Sequence, residues 1–161
     1  MTLVHLHLIL NNVPVIGMVA VVLLLGYAMM RRSEELQKTA LGAAVLVALV
    51  TPGAYFTGEP AEHAVKGLPG VTKQLIDRHE DAALLAFIAI SATGLVALAL
   101  LVKWRSPALR TKGVRAAMFL GLVALVLVIR AAAFGGEVRH TEIRSGSAAA
   151  GSPESGARGD D

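Results

Sequence analysis

The feature that most constrains this chain is a set of four long apolar runs. They cover residues 3–30, 36–56, 71–103 and 108–134. About 20 residues of helix cross a hydrocarbon core of roughly 30 Å, so each run is long enough to span a bilayer. A membrane-spanning segment must satisfy its own backbone hydrogen bonds, which favours helices. Short connections make neighbouring helices antiparallel. The sequence therefore predicts an all-α membrane protein: an antiparallel four-helix transmembrane bundle within residues 1–144.

Composition supports a membrane protein and limits the cofactors it could hold. The chain is 55% hydrophobic and only 17% charged, and it has no cysteine. The absence of cysteine excludes disulfides, thiolate-bound metals, iron–sulfur clusters and covalently attached haem. The net charge of +3 lies largely in two short loops, so we expect the lipid bilayer as a partner and no nucleic acid.

The distribution of basic residues predicts the orientation. The loops at 31–38 and 103–115 contain three and five lysines or arginines, whereas the N-terminal tail contains none. The long connection at 57–79 has basic residues diluted by acidic ones. The positive-inside rule then places both termini and that connection outside, which for a bacterial inner membrane is the periplasm. Residues 145–161, rich in Gly, Ala and Ser, predict a disordered periplasmic tail.

The histidines share one membrane depth at the outer ends of the predicted spans. His7 lies 24 residues from Arg31, and His79 lies 24 residues from Lys103. At 1.5 Å per residue, 24 residues span roughly 36 Å, which is the outer edge of the hydrocarbon. His140 reaches a similar level if the last helix continues far enough. All five histidines are expected on this face, either as a site or as an ordinary polar rim.

Helical phase distinguishes the two N-terminal histidines. His5 and His7 lie about 200° apart on a helix of 3.6 residues per turn, so they cannot both face the bundle interior. His7 shares a face with Asn11 and Met18, which favours the inward position for His7. His5 shares the opposite phase with Asn12.

Several residues in the outer halves of the spans predict local departures from a plain helix. Pro52 predicts a kink or stop near the far end of the second run. Gly135 and Gly136 predict a break, or a close approach of another backbone or a flat ring. Arg130 is a charge inside an apolar run, and such charges usually pair with an acidic group or reach the interface.

Three kinds of function fit these residues, and the preferred one is non-covalent binding of haem b for electron transfer. Four antiparallel helices can hold a porphyrin between two axial histidines, here His79 with His7 or His140. An arginine would meet a propionate, and two glycines would make room. The predicted cofactor-binding residues are His7, His79, His140, Arg130, Gly135 and Gly136.

The first alternative is a zinc, copper or iron ion, which clustered imidazoles and carboxylates suit. Its predicted ligands are His7, His79, His140 and Glu80. The second alternative is a cofactor-free structural subunit whose polar rim docks another protein. No catalytic residues are predicted, so the chain is not expected to be an enzyme by itself. Small residues in the third run permit close packing within the bundle or in a homo-oligomer.

Four segments carry a resemblance to a known group of proteins: HLHLILNNVPVIG at 5–17, TGEPAE at 57–62, HEDAA at 79–83 and GGEVRHTEI at 135–143. Together they resemble a family of small bacterial four-span inner-membrane proteins of unknown function, over nearly all of residues 3–143. The resemblance implies a four-span fold in the bacterial inner membrane. The chain is more distantly similar to membrane domains associated with redox modules, which favours haem and a periplasmic or membrane redox partner.

Overall fold

The computed structural model describes residues 2–140 and 143–144 and is an all-α four-helix bundle. The helices are α1 (Leu3–Leu10), α2 (Asn12–Met30), α3 (Glu34–Phe56), α4 (Gly58–Val65), α5 (Lys73–Val102) and α6 (Pro107–Arg139). Four segments are long and apolar enough to cross a membrane: Leu3–Met30, Glu34–Val65, Lys73–Val102 and Pro107–Arg139. The predicted fold class is confirmed. The predicted tail, 145–161, lies outside the described residues.

The four long helices form a closed ring in which each packs against two neighbours. Contacts join α2 to α3, α3 to α5, α5 to α6 and α6 back to α2. Met18, Leu41 and Ile90 are fully buried in the centre. Small residues let the helices approach closely: a Cβ atom placed on Gly94 would collide with Ala48 on α3. The small residues of the third run are therefore used for packing inside the bundle.

Large apolar side chains cover the outside of the bundle. About two-thirds of the surface of each of five of them is exposed: Leu23 (68%), Leu49 (70%), Leu95 (68%), Phe119 (67%) and Val126 (67%). Exposure to water would be unfavourable, whereas a hydrocarbon environment removes that cost. The outer surface of the bundle is thus suited to contact with lipid.

The helix ends expected at Pro52 and at Gly135–Gly136 do not occur. Helix α3 continues past Pro52 to Phe56, and α6 continues through both glycines to Arg139. Proline is tolerated in membrane helices because neighbouring groups satisfy the freed backbone. At the other position, Gly135 lies against the ring of His79 on α5.

The two short loops meet at one end of the bundle, which we call the basic end (residues 31–38 and 103–115). The Trp104 indole donates a hydrogen bond to Glu34 at 3.2 Å, and Arg110 pairs with the same carboxylate at 2.6 Å. The Lys38 ammonium lies 5.3 Å from the centre of the indole ring. These contacts connect the first helical hairpin (α1–α4) to the second (α5–α6).

Candidate functional site

The opposite end, which we call the histidine end, holds His7 in the first hairpin. The His7 Nδ1 atom lies 3.0 Å from the Ala54 carbonyl oxygen and 3.3 Å from the Thr57 hydroxyl. The hydroxyl donates its own hydrogen to the Gly53 carbonyl at 2.7 Å, so its oxygen is left to accept. A Cβ atom placed on Gly58 would lie 3.6 Å from His7 Cε1. The half-buried His7 ring therefore connects α1 to the junction of α3 and α4.

His79 makes the corresponding contact in the second hairpin. Thr72 caps the start of α5 by accepting the Leu75 N–H, and His79 follows in the second turn. Its Nδ1 atom lies 2.9 Å from the carbonyl oxygen of Ala131 on α6. A Cβ atom on Gly135 would lie only 3.0 Å from His79 Cε1. The half-buried ring thus occupies the space that a side chain at position 135 would fill.

These hydrogen bonds fix the tautomer of both imidazoles. A carbonyl oxygen only accepts hydrogen bonds, so Nδ1 must carry the proton in His7 and in His79. In the neutral ring the lone pair is then on Nε2. A metal-ligating histidine usually has this arrangement, with one nitrogen donating to a carbonyl and the other available to the metal. Both rings are therefore held in the tautomer that a ligand requires.

The two acceptor carbonyls occupy equivalent positions in their helices. Ala54 lies four residues before Gly58, and Ala131 lies four residues before Gly135. The carbonyl of a helical residue points toward the residue four positions later. A glycine there has no side chain, and the imidazole lies in that space. Each hairpin thus supplies one imidazole and one backbone carbonyl that orients it.

Both rings lie at the histidine end, each hydrogen-bonded to a backbone carbonyl within its own hairpin. Asn11 is partly buried and Met18 is completely buried, whereas His5 is exposed. The inward phase predicted for His7 is therefore confirmed.

Other predicted ligands lie elsewhere at the histidine end. His140 is the C-cap of α6; its side chain is exposed and its backbone N–H donates to the Gly136 carbonyl. Glu80 is exposed on α5. Among residues 2–140 and 143–144, no three His, Asp or Glu side chains form a group that could hold a metal ion.

Arg130 lies near an aromatic ring, and Gly136 lies against Ile143. The exposed Arg130 guanidinium lies 5.3 Å from the centre of the Phe134 ring, and the Arg78 guanidinium lies 4.5 Å from the same centre. Gly136 faces Ile143, whose Cδ1 atom would lie 3.3 Å from an added Cβ. Of the two glycines, it is Gly135 that makes room at the site, and the ring it accommodates is an imidazole of the protein.

No protein-family model, curated protein or solved structure matches this chain. The assignment of a function therefore depends on the geometry of the histidine pair.

Proposed function

We propose that the protein binds haem b non-covalently through His7 and His79 and takes part in electron transfer. The observation that carries the proposal is the pair of half-buried imidazoles whose Nδ1 atoms are both fixed by backbone carbonyls, at 3.0 and 2.9 Å. This leaves two Nε2 lone pairs, which is the donor set of a bis-histidine haem. When bound, haem b supplies reversible one-electron chemistry at its iron.

The number of ligands favours haem over a single metal ion. A structural or catalytic zinc ion needs three or four protein ligands. Haem iron needs only two axial ones, because the porphyrin supplies four nitrogens. Within the described parts of the chain no group of three His, Asp or Glu side chains suits a metal ion. Two oriented imidazoles therefore support haem more than zinc, copper or iron alone.

In this proposal the protein's own residues position and tune the ligands. Ala54 and Ala131 hold each ring in one tautomer, and a hydrogen bond to Nδ1–H increases the basicity of Nε2. The pair lies on the side that the basic loops predict to be periplasmic, in a bacterial inner membrane. A periplasmic or membrane redox partner would then exchange electrons at the histidine end.

A cofactor-free structural role is the second candidate, and one observation favours it. Ala54 is among the last four residues of α3, whose carbonyls lack helical partners. His7 satisfies one of these carbonyls and would do so in a purely structural protein as well. In that case the histidine end would serve as a docking surface for another subunit.

Haem titration of the purified apoprotein separates the two candidates. We expect His7→Ala and His79→Ala each to abolish the shift of the Soret band that accompanies axial ligation. His5→Ala and His63→Ala are matched controls, since both side chains are exposed at the same end. A wild-type protein that takes up no haem, with both His7→Ala and His79→Ala destabilised, would support the structural role instead.

A further inference from the structure

A small cleft opens on the outside of the second hairpin, near the histidine end. Its volume is about 100 Å³, and neither His7 nor His79 lines it. It lies between α5 and α6 and is lined by Arg78, Asp81, Ala82, Leu85, Arg130 and Phe134. This volume equals about three water molecules at liquid density, which suits a single polar group such as a phosphate and is far below that of a porphyrin.

Two guanidinium groups flank the cleft. Both lie against the Phe134 ring, Arg78 at 4.5 Å and Arg130 at 5.3 Å from its centre. Arg78 approaches Glu137 only at 4.0 Å, which is the limit of an ion pair. For Arg130, the described part of the chain offers no carboxylate within that distance. Both arginines therefore retain donors for an external anion.

The depth of the cleft matches the outer boundary of the hydrocarbon. Arg130 lies 15 residues along α6 from Arg115, or roughly 22 Å at 1.5 Å per residue. Arg78 lies 25 residues along α5 from Lys103, or roughly 37 Å. A bilayer core is about 30 Å thick, so Arg130 lies below the outer edge of the hydrocarbon and Arg78 reaches the level of the lipid phosphates. The cleft is positioned where headgroups meet acyl chains.

We propose that this cleft binds the headgroup of phosphatidylethanolamine. Arg78 and Arg130 donate hydrogen bonds to the phosphate, a geometry in which guanidinium is favoured. Asp81 accepts hydrogen bonds from the primary amine, and Leu85 and Phe134 contact the start of the acyl chains. The carboxylate between two arginines selects a zwitterionic headgroup with N–H donors. The proposal assigns Arg130 to a lipid and is independent of haem binding.

Native mass spectrometry of the full chain in detergent tests this assignment. The probes are phosphatidylethanolamine, phosphatidylglycerol and phosphatidylcholine at equal concentration. We expect about tenfold more bound phosphatidylethanolamine than phosphatidylcholine, whose quaternary amine has no N–H donor. Arg130→Gln should reduce phosphatidylethanolamine binding about tenfold, because it removes a charge-assisted hydrogen bond. We also expect a preference over phosphatidylglycerol, which has no amine, and Asp81→Asn should abolish that preference.

Arg139→Gln is the matched control, since this exposed arginine on the same helix does not line the cleft. Arg78→Gln provides a second test if Arg130→Gln does not fold. Equal binding of the three lipids, or unchanged binding in both arginine variants, would overturn the proposal. Displacement of the lipid by equimolar glycerophosphoethanolamine, which lacks acyl chains, would also overturn it and indicate a soluble phosphate ester as the ligand.

Discussion

His79 donates its Nδ1–H to the Ala131 carbonyl at 2.9 Å, across a gap that exists because Gly135 has no side chain. His7 makes the same kind of contact with Ala54, four residues before Gly58. The same arrangement thus occurs in both hairpins: an imidazole from one span donates to an alanine carbonyl on the next span, close to a glycine. Both imidazoles lie at the histidine end of the bundle.

Replacing Gly135 should displace the His79 ring without disrupting the bundle. A Cβ at this position would lie 3.0 Å from His79 Cε1 and 3.2 Å from Nδ1, so Gly135→Val must move the ring. Loss of such an orienting contact typically costs roughly 10- to 100-fold in affinity, and we expect that loss in haem titration.

Gly42→Val is the control for this experiment. It adds the same β-branched side chain to a helix, at a position where an added Cβ has no neighbour within 4 Å. Equal haem affinity in the two variants would show that the position of the His79 ring does not matter for binding.

The two N-terminal histidines should respond differently to substitution. His7 is half-buried and bonded to the Ala54 carbonyl, whereas His5 is exposed and contacts the Thr2 hydroxyl at 2.7 Å. We expect His7→Ala to lower the thermal midpoint in detergent, because the hydrogen bond contributes about 1 kcal/mol. His5→Ala should leave the midpoint unchanged. A larger effect of His5→Ala would contradict the inward phase of His7.

Much of the fold could be predicted from the sequence because hydrophobic run length is a direct signal of spanning helices. The inward phase of His7 was also predictable, because 3.6-residue periodicity aligns it with Asn11 and Met18. Continuity past Pro52 and through Gly135 was not predictable, since both residues usually interrupt helices and only the neighbouring helices keep them within one.

The site was predictable in part. Counting residues from the basic loops places His7, His79 and His140 at a similar membrane depth. This count does not show that the His140 side chain is exposed. The acceptors Ala54 and Ala131 were missed, since a backbone carbonyl has no side-chain signature. A sequence signal did exist: at the histidine depth, an alanine lies four residues before a glycine in both hairpins.

Close packing of α3 and α5 can be tested with an exchange of one methyl group. A Cβ on Gly94 would collide with Ala48, so Gly94→Ala should destabilise the bundle by about 1–3 kcal/mol through overpacking. The double variant Gly94→Ala/Ala48→Gly moves the methyl to the other helix and should recover most of the loss. Thermal midpoints in detergent measure both effects. If the effects of the two single substitutions on the thermal midpoint simply add in the double variant, Gly94 and Ala48 are not in direct contact.

The basic end can be monitored separately because Trp104 is the single tryptophan of the chain. Its indole donates to Glu34, which also pairs with Arg110. Glu34→Gln should shift tryptophan emission to longer wavelength while costing less than about 1 kcal/mol, since exposed ion pairs contribute little. Glu35→Gln is the matched control on the same exposed turn. An emission shift of equal size in the control would argue against this contact.

The most direct test of the account is an absorption spectrum of the detergent-purified protein, oxidised and then reduced with dithionite, with metal analysis of the same sample. We expect a Soret band, sharp α and β bands on reduction, and one iron per chain, all lost in His7→Ala and His79→Ala. A sample without these bands, which also fails to develop them when haem is added, would contradict the assignment of the imidazole pair as haem ligands.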